Sequence, residues 1–237
     1  MPSRERRAKM IVVKNKSARY FLSVFLPLLL IPLCVAAGAF VFPSGSFAYT
    51  IVLVALLSIA AFFGGFEQKK TGSRRLILVA VMVALSVIGR FIPFFKPISA
   101  ITVLTAVYFG REAGFLTGSL SAVISDIYFG MGPWTPFQML SFGLIGFFAG
   151  IFGERLKKST PLLLIYGGLS GIVFSFIMDV WTVAWYSGGV DPSLYVTALY
   201  TAIPYTVIYS ASNILFLVLF AKPLGRKFDR IKTVYSV

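Results

Sequence analysis

Lysine and arginine follow an alternating pattern along this chain, and the pattern constrains how the chain lies in a bilayer. Of the 22 Lys and Arg residues, 20 fall in every second gap between long apolar stretches. Because basic loops are retained in the cytoplasm, the sequence predicts that these gaps and both termini lie there. The basic gaps hold residues 4–19, 69–75, 111, 155–158 and 222–232, whereas the gaps around 43–47, 130–134 and 187–192 hold no Lys or Arg.

The apolar stretches between these gaps predict about eight membrane-spanning helices. A helix needs about 20 apolar residues to cross the hydrocarbon core, and 58% of the residues are hydrophobic. We therefore expect an all-α integral membrane protein without a separate globular domain. The short stretch 97–110 is either extended by its neighbours or a tilted, partly re-entrant segment shielded by protein. The predicted spans are residues 20–42, 47–66, 75–95, 97–110, 112–130, 134–153, 161–186 and 195–221.

Several kinds of chemistry are excluded by residues and motifs that the sequence lacks. There is no histidine and only one cysteine, Cys34, so metal sites built on histidine or on thiolate clusters are excluded. No P-loop, G-x-S-x-G or H-E-x-x-H motif occurs, and we expect no catalytic residues, metal or cofactor. The net charge of +14 follows from the retained basic loops. It favours anionic lipid, not nucleic acid, as the electrostatic partner.

Charged residues inside the predicted spans gather in the outer half of the membrane. Arg90, Asp126 and Asp179 all lie there, and such charges face a bundle interior or a wet cavity. They predict either a polar pocket open to the exterior or an Arg–Asp pair that locks two helices. Arg90 and Lys96 are candidates to meet a ligand phosphate or carboxyl group. Asn213 lies deeper, where it can serve a ligand or a hydrogen bond between helices.

All three tryptophans lie at the same level as these charges. This arrangement is typical of an interfacial aromatic belt, or of an aromatic-walled pocket for a small organic ligand. The inner face has no tryptophan, which favours the pocket. We expect substrate contacts from Arg90, Lys96, Asp126, Tyr128, Trp134, Gln138, Asp179, Trp181, Trp185 and Tyr186.

Glycines four residues apart recur in the later spans and predict close helix packing. Such pairs let helix backbones approach one another, either within the chain or against a partner membrane protein. The pairs are Gly114 with Gly118, Gly146 with Gly150, and Gly167 with Gly171.

The region from 74 to 221 resembles a known family. The segments YFGREAGFLTGSL (108–120) and DIYFGMGPWTPFQMLSFGLIGFFAG (126–150) are similar to the substrate-binding S components of energy-coupling factor (ECF) vitamin transporters. The resemblance implies a six-helix unit at 73–237 with a basic C-terminal tail. Residues 1–72 then form a basic cytoplasmic N-terminus and two extra transmembrane helices.

The resemblance also implies partners and a cellular location. S components dock on a membrane-embedded coupling subunit through an A-x-x-x-A motif, matched here by Ala80 and Ala84. Two ATP-binding subunits supply energy, and the chain lies in the cell membrane. The outer loop at 132–139 resembles members assigned to cobalamin, with riboflavin or another vitamin as the alternative ligand. A stand-alone secondary transporter or channel, and a membrane scaffold, remain alternative classes.

Overall fold

The computed structural model describes residues 15–40, 47–64, 72–93, 95–187 and 191–235. Every secondary-structure element within these ranges is a helix, which confirms the expected all-α class. The basic residues 4–14, Lys69 and Lys70, and parts of two predicted outer gaps, 43–46 and 188–190, lie outside the described residues.

The N-terminal helices form a hairpin. Its first arm is continuous but changes geometry, and Pro27 lies inside the π-helical stretch. Proline has no N–H, and its ring clashes with the carbonyl one turn back, so a regular α-helical turn is disfavoured there. A methyl group on Gly38 would overlap the side chain of Thr50 on the second arm. The elements are α1 (Lys16–Tyr20), the π-helical stretch (Phe21–Leu30), α2 (Ile31–Phe40) and α3 (Phe47–Gly64).

A helix lies at each of the eight predicted spans, although the number of membrane crossings stays a prediction. By length and composition, three described segments can cross a membrane: Phe21–Gly38, Thr160–Ser187 and Pro192–Val234. Three further apolar helical segments are shorter, namely Tyr49–Ala61, Ile98–Phe109 and Thr135–Ile151. The later helices are α4 (Gly72–Arg90), α5 (Ile98–Phe109), α6 (Arg111–Phe129), α7 (Thr135–Ile151), α8 (Gly153–Lys158), α9 (Thr160–Ser187) and α10 (Pro192–Tyr235).

Helix α5 lies at the centre of the bundle. It has 12 residues, of which all but Tyr108 are buried. Helices α4, α6, α7, α9 and α10 pack around it. Its shortness is therefore compatible with a membrane, because its backbone is shielded by protein on every side.

Glycines set the closest helix pairings in the bundle. A methyl group on Gly118 of α6 would overlap the backbone carbonyl of Phe142 on α7, and one on Gly146 would overlap that of Gly114. In the same way, Gly171 of α9 lies against the backbone of Ser210 on α10. The expected packing of glycine pairs within the chain is confirmed.

The last part of α10 continues well past the predicted span and covers one end of the bundle. The ring of Phe228 is buried against Tyr108 and Phe109 of α5, at centroid distances of 5.3 and 5.2 Å. Lys157 Nζ of α8 lies 2.5 Å from Asp229 Oδ1. We call this the Lys157 end of the bundle, and the opposite end the Arg90 end.

Candidate functional site

An ion pair ties α4 to α6 at the Arg90 end. Helix α4 ends at Arg90, and Pro93 shortly afterwards cannot continue it. Arg90 Nη1 lies 2.6 Å from Asp126 Oδ1 and 2.5 Å from Ser125 Oγ. The Asp126 side chain is fully buried, and that of Arg90 is 16% exposed. Of the two expected roles for these charges, the structure thus contains the Arg–Asp pair that locks two helices.

The same carboxylate also holds the start of α7. Thr135 Oγ1 donates to Asp126 Oδ2 at 2.7 Å, and the Gly132 N–H donates to Thr135 Oγ1 at 3.2 Å. Both oxygens of the buried carboxylate are therefore hydrogen-bonded, as a buried charge requires. This network fixes the turn at 130–134, which carries Trp134.

Lys96 joins the network from the loop before α5. Its Nζ donates to the backbone carbonyl of Arg90 at 3.0 Å and lies 5.6 Å from the ring centroid of Phe129. The Arg90 guanidinium lies over the same ring at 4.8 Å. Burial, and then the nearby charge of Arg90, lower the pKa of Lys96. Both cations are thus engaged with groups of the protein.

The three tryptophans form a second cluster beside this network. The rings of Trp134 and Trp181 are arranged edge to face, with centroids 5.8 Å apart. The rings of Trp181 and Trp185 are stacked, with centroids 6.3 Å apart. Trp181 and Trp185 are one turn apart on α9, so they share a face. Because Trp134 directly precedes Thr135, the Asp126 network positions one member of the indole cluster.

Two polar side chains close in sequence to the tryptophans have buried oxygens without a hydrogen-bond partner among the described residues. They are Gln138 Oε1, one turn after Trp134, and Asp179 Oδ2, two residues before Trp181. Tyr195, at the start of α10, interacts electrostatically with Asp179. Unpaired buried oxygens are costly, so these atoms are suited to accept hydrogen bonds from a ligand.

Two other expected site residues are exposed aromatics, and Asn213 lies between helices. Tyr128 is exposed and packs on Phe91 at 4.6 Å, and Tyr186 is exposed at the end of α9. Asn213 joins helices instead: its Oδ1 accepts from the Ala100 N–H at 3.2 Å, and its Nδ2 donates to Ser170 Oγ at 3.3 Å. The expected hydrogen bond between helices is therefore present at Asn213.

Sequence reasoning missed several residues of this region. Ser125, Phe129 and Thr135 contact the ion pair directly, and Tyr209 of α10 interacts electrostatically with Arg90 and Asp126. Ser125 could have been found from the sequence, because it directly precedes Asp126. Thr135 and Tyr209 carry no such signal, because their role depends on how separate helices pack.

The two alanines of the A-x-x-x-A motif are exposed on one face of α4. Ala80 and Ala84 are one turn apart, and Ile77 and Ile88 are exposed near them. An apolar helix face with small residues fits either lipid or another membrane helix.

Residues 70–226 match the family model described as ECF-type riboflavin transporter, S component. The chain belongs to this family. The family is one of membrane transport subunits and not of enzymes. The apolar helices of the bundle fit a multi-pass membrane location.

One curated relative is similar to part of the chain. A UPF0397 protein of Vibrio atlanticus (strain LGP32) is 30% identical to this S component over 95 residues, which are 36% of this chain and 52% of the relative. The chain thus spans about half the length of that relative. No solved structure matches the chain.

Proposed function

We propose that this S component captures a vitamin at the Arg90 end of its bundle, on the outer face of the cell membrane. A coupling subunit and two ATP-binding subunits then drive its delivery into the cell. The observation that carries the proposal is the cluster of three indole rings. Helices α7 and α9, at which these rings lie, also hold two buried oxygens, of Gln138 and Asp179, which have no hydrogen-bond partner among the described residues. Aromatic walls with a few convergent polar groups are typical of small-molecule sites.

The chemistry of these groups favours a flat ligand that carries hydrogen-bond donors. The indoles offer faces and edges for stacking. Gln138 Oε1 and Asp179 Oδ2 are acceptors for which the described part of the chain supplies no donor. Riboflavin offers a planar ring system, a ring N–H and several hydroxyl groups, so it satisfies both requirements and is the ligand we propose first.

The charges at this end favour the unphosphorylated vitamin. Arg90 is paired with Asp126, and Lys96 donates to a backbone carbonyl. A ligand phosphate would have to break the buried pair to reach Arg90, which is unfavourable because it leaves Asp126 without its partner. We therefore expect riboflavin to bind more tightly than its phosphate ester.

Cobalamin, the ligand expected from the outer loop, is the second candidate. A wide aromatic rim would suit a corrin ring. Trp134 and Trp181 are in contact, however, so a ring of that width has to separate them. A narrow planar ring can stack on them with less rearrangement.

The test is a titration of the purified chain with riboflavin, in which binding is measured as quenching of flavin fluorescence. We expect the quenching to be saturable. Flavin mononucleotide and cyanocobalamin should compete only weakly with riboflavin for the site. Trp181→Ala should weaken binding by about tenfold or more. Phe220→Ala removes an exposed aromatic residue in the second half of α10 and should leave binding unchanged.

Other outcomes identify other functions. Tight binding of cyanocobalamin without riboflavin binding would assign the second candidate. ATP-independent uptake by the chain alone in liposomes would instead indicate a secondary transporter or channel.

A further inference from the structure

Basic side chains are concentrated at the Lys157 end, opposite the candidate ligand site. They lie on α8 and on the last part of α10, and we call them the basic collar. Two carboxylates lie among them: Glu154, and Asp229, which is paired with Lys157. The collar therefore keeps a large excess of positive charge. Its members are Arg155, Lys157, Lys158, Lys222, Arg226, Lys227, Arg230 and Lys232.

The helix packing fixes which face of α10 is basic. Phe228 is buried against α5, and a side chain at Gly225 would meet the hydroxyl of Tyr108. Lys222, Arg226 and Arg230 are spaced by four residues and are exposed, so they form a stripe along one side of the helix. The stripe is therefore held outward by the packing of the opposite face.

An ion pair anchors the collar at α8. The hydrogen bond to Asp229 raises the pKa of Lys157, so this cation stays charged at neutral pH. Arg155 and Lys158 on the same short helix are exposed. Both basic segments are thus held at one end of the bundle with their exposed cations outward.

Each basic segment begins where exposed apolar residues end. Val218, Leu219 and Phe220 are exposed directly before Lys222. Ile151 and Phe152 are exposed directly before α8. A phospholipid has this same order of groups, with acyl chains beside a charged headgroup. An acidic soluble protein would match only the basic part.

We propose that the basic collar binds the headgroups of anionic phospholipids, with the adjacent exposed apolar residues against their acyl chains. The surface lies on the side that the charge pattern predicts to be cytoplasmic, where anionic lipid attracts basic segments next to membrane helices. The proposal does not depend on which vitamin the chain binds. It assigns the collar a ligand of its own at the end of the bundle away from the vitamin.

The expected change in affinity for anionic lipid follows from the number of exposed Lys and Arg side chains that are replaced. A Lys or Arg near an anionic surface contributes about a factor of five in binding. Replacing Lys222, Arg226 and Arg230 by glutamine should thus weaken binding by on the order of 100-fold. Glu154→Gln removes an exposed carboxylate from the collar and should strengthen binding a few-fold.

The test compares the purified full chain in nanodiscs and micelles that contain phosphatidylcholine alone or with phosphatidylglycerol. Bound lipid is counted by native mass spectrometry, and thermal unfolding is followed in parallel. We expect retained phosphatidylglycerol, a higher Tm in its presence, and release of the lipid as the salt concentration rises. The matched control replaces Arg4, Arg6 and Arg7 by glutamine, which changes the net charge equally at another place in the sequence.

The outcomes distinguish an effect of where the basic residues lie from an effect of the total net charge. A loss of phosphatidylglycerol in the collar variant but not in the matched control supports the proposal. Equal losses in both variants, or no preference over phosphatidylcholine in the unaltered chain, overturn it. Retained lipid in the collar variant together with lost co-purification of the ATP-binding subunits also overturns it, because the collar would then be a protein interface. If the collar variant does not fold, Glu154→Gln and the salt titration decide.

Discussion

Arg90 has a carboxylate partner because neither group can remain charged and unpaired at membrane depth. Asp126 is fully buried and accepts hydrogen bonds from Arg90 Nη1 and Thr135 Oγ1, and Arg90 Nη1 also donates to the neighbouring Ser125 Oγ. Removing one partner of a buried pair leaves the other charge without compensation, which is more costly than removing both.

Arg90→Met should therefore lower the free energy of unfolding by about 3–5 kcal/mol. The double variant Arg90→Met with Asp126→Leu should recover a large part of that loss, because no buried charge remains. Thermal unfolding in detergent, followed by tryptophan fluorescence, measures both. Lys96→Met is the control, and its loss should be smaller, since the hydrogen bond of Lys96 is to a backbone carbonyl and not to a buried carboxylate. Equal losses in the single and double variants would contradict a locking role.

The residues around this pair show where sequence reasoning stops. Arg90, Asp126 and Trp134 could be selected from the sequence because charges and tryptophans stand out in an apolar chain. Thr135 and Tyr209 could not, because hydroxyl residues are common in membrane helices. Their part in the site depends on the rotation of α7 and α10 about their own axes, which no local pattern specifies.

At the scale of helices, hydrophobic length predicted the positions of the elements better than their ends. The eight apolar stretches each became a helix. The continuation of α10 to Tyr235 was missed because its last turns are basic, although Phe228 is buried on their inner side. The short helix α8 was missed for the same reason, since its apolar content is essentially Leu156.

Helix α5 shows how a short helix can be stable inside such a bundle. Its 12 residues extend about 18 Å, whereas the hydrocarbon core is about 30 Å thick. Its neighbours, and not lipid, surround it, and Asn213 accepts a hydrogen bond from the Ala100 N–H in its first turn. The expected shielding by protein is therefore present, while a full crossing by 97–110 stays a prediction.

The crossing of α6 and α7 depends on the absence of a side chain at Gly118. Gly118→Ala should lower the free energy of unfolding by about 1–3 kcal/mol or more, because the new methyl group would overlap the rigid backbone at Phe142. Alanine's higher helix propensity offsets only about 1 kcal/mol. Thermal unfolding measures the net change.

Gly168→Ala is the matched control for this prediction. Its methyl group would meet only the flexible end of Ile214, at 3.1 Å. The variant should thus be neutral or slightly stabilising. A comparable loss in both variants would show that general glycine effects, and not the α6–α7 crossing, set the stability.

At the scale of the whole molecule, the candidate vitamin site and the proposed lipid-binding collar lie at opposite ends of the bundle. The indoles and the Arg90 network lie at one end, and the basic collar lies at the other. The N-terminal hairpin packs against α6 and α7. The face of α4 with Ala80 and Ala84 remains exposed, so the two extra helices leave it accessible to a partner subunit.

Docking on this face can be separated from vitamin capture by one substitution. Ala84→Trp places a large side chain on the exposed face of α4, where the predicted helix contact with the coupling subunit requires small residues. Position 84 lies more than a helical turn from Arg90, so riboflavin binding by the isolated chain should be unchanged. Uptake by the complete transporter in ATP-loaded vesicles should be abolished.

Val173→Trp makes the corresponding change on an exposed face of α9. If α9 faces lipid, this variant should retain both binding and uptake, since the bilayer accommodates an indole. Loss of uptake in both variants would indicate a general effect of bulk on insertion or stability. Retained uptake in Ala84→Trp would exclude the α4 face as the docking surface. The coupling subunit would then have to contact another face, and the exposed apolar residues of α9 and α10 would be the next to substitute.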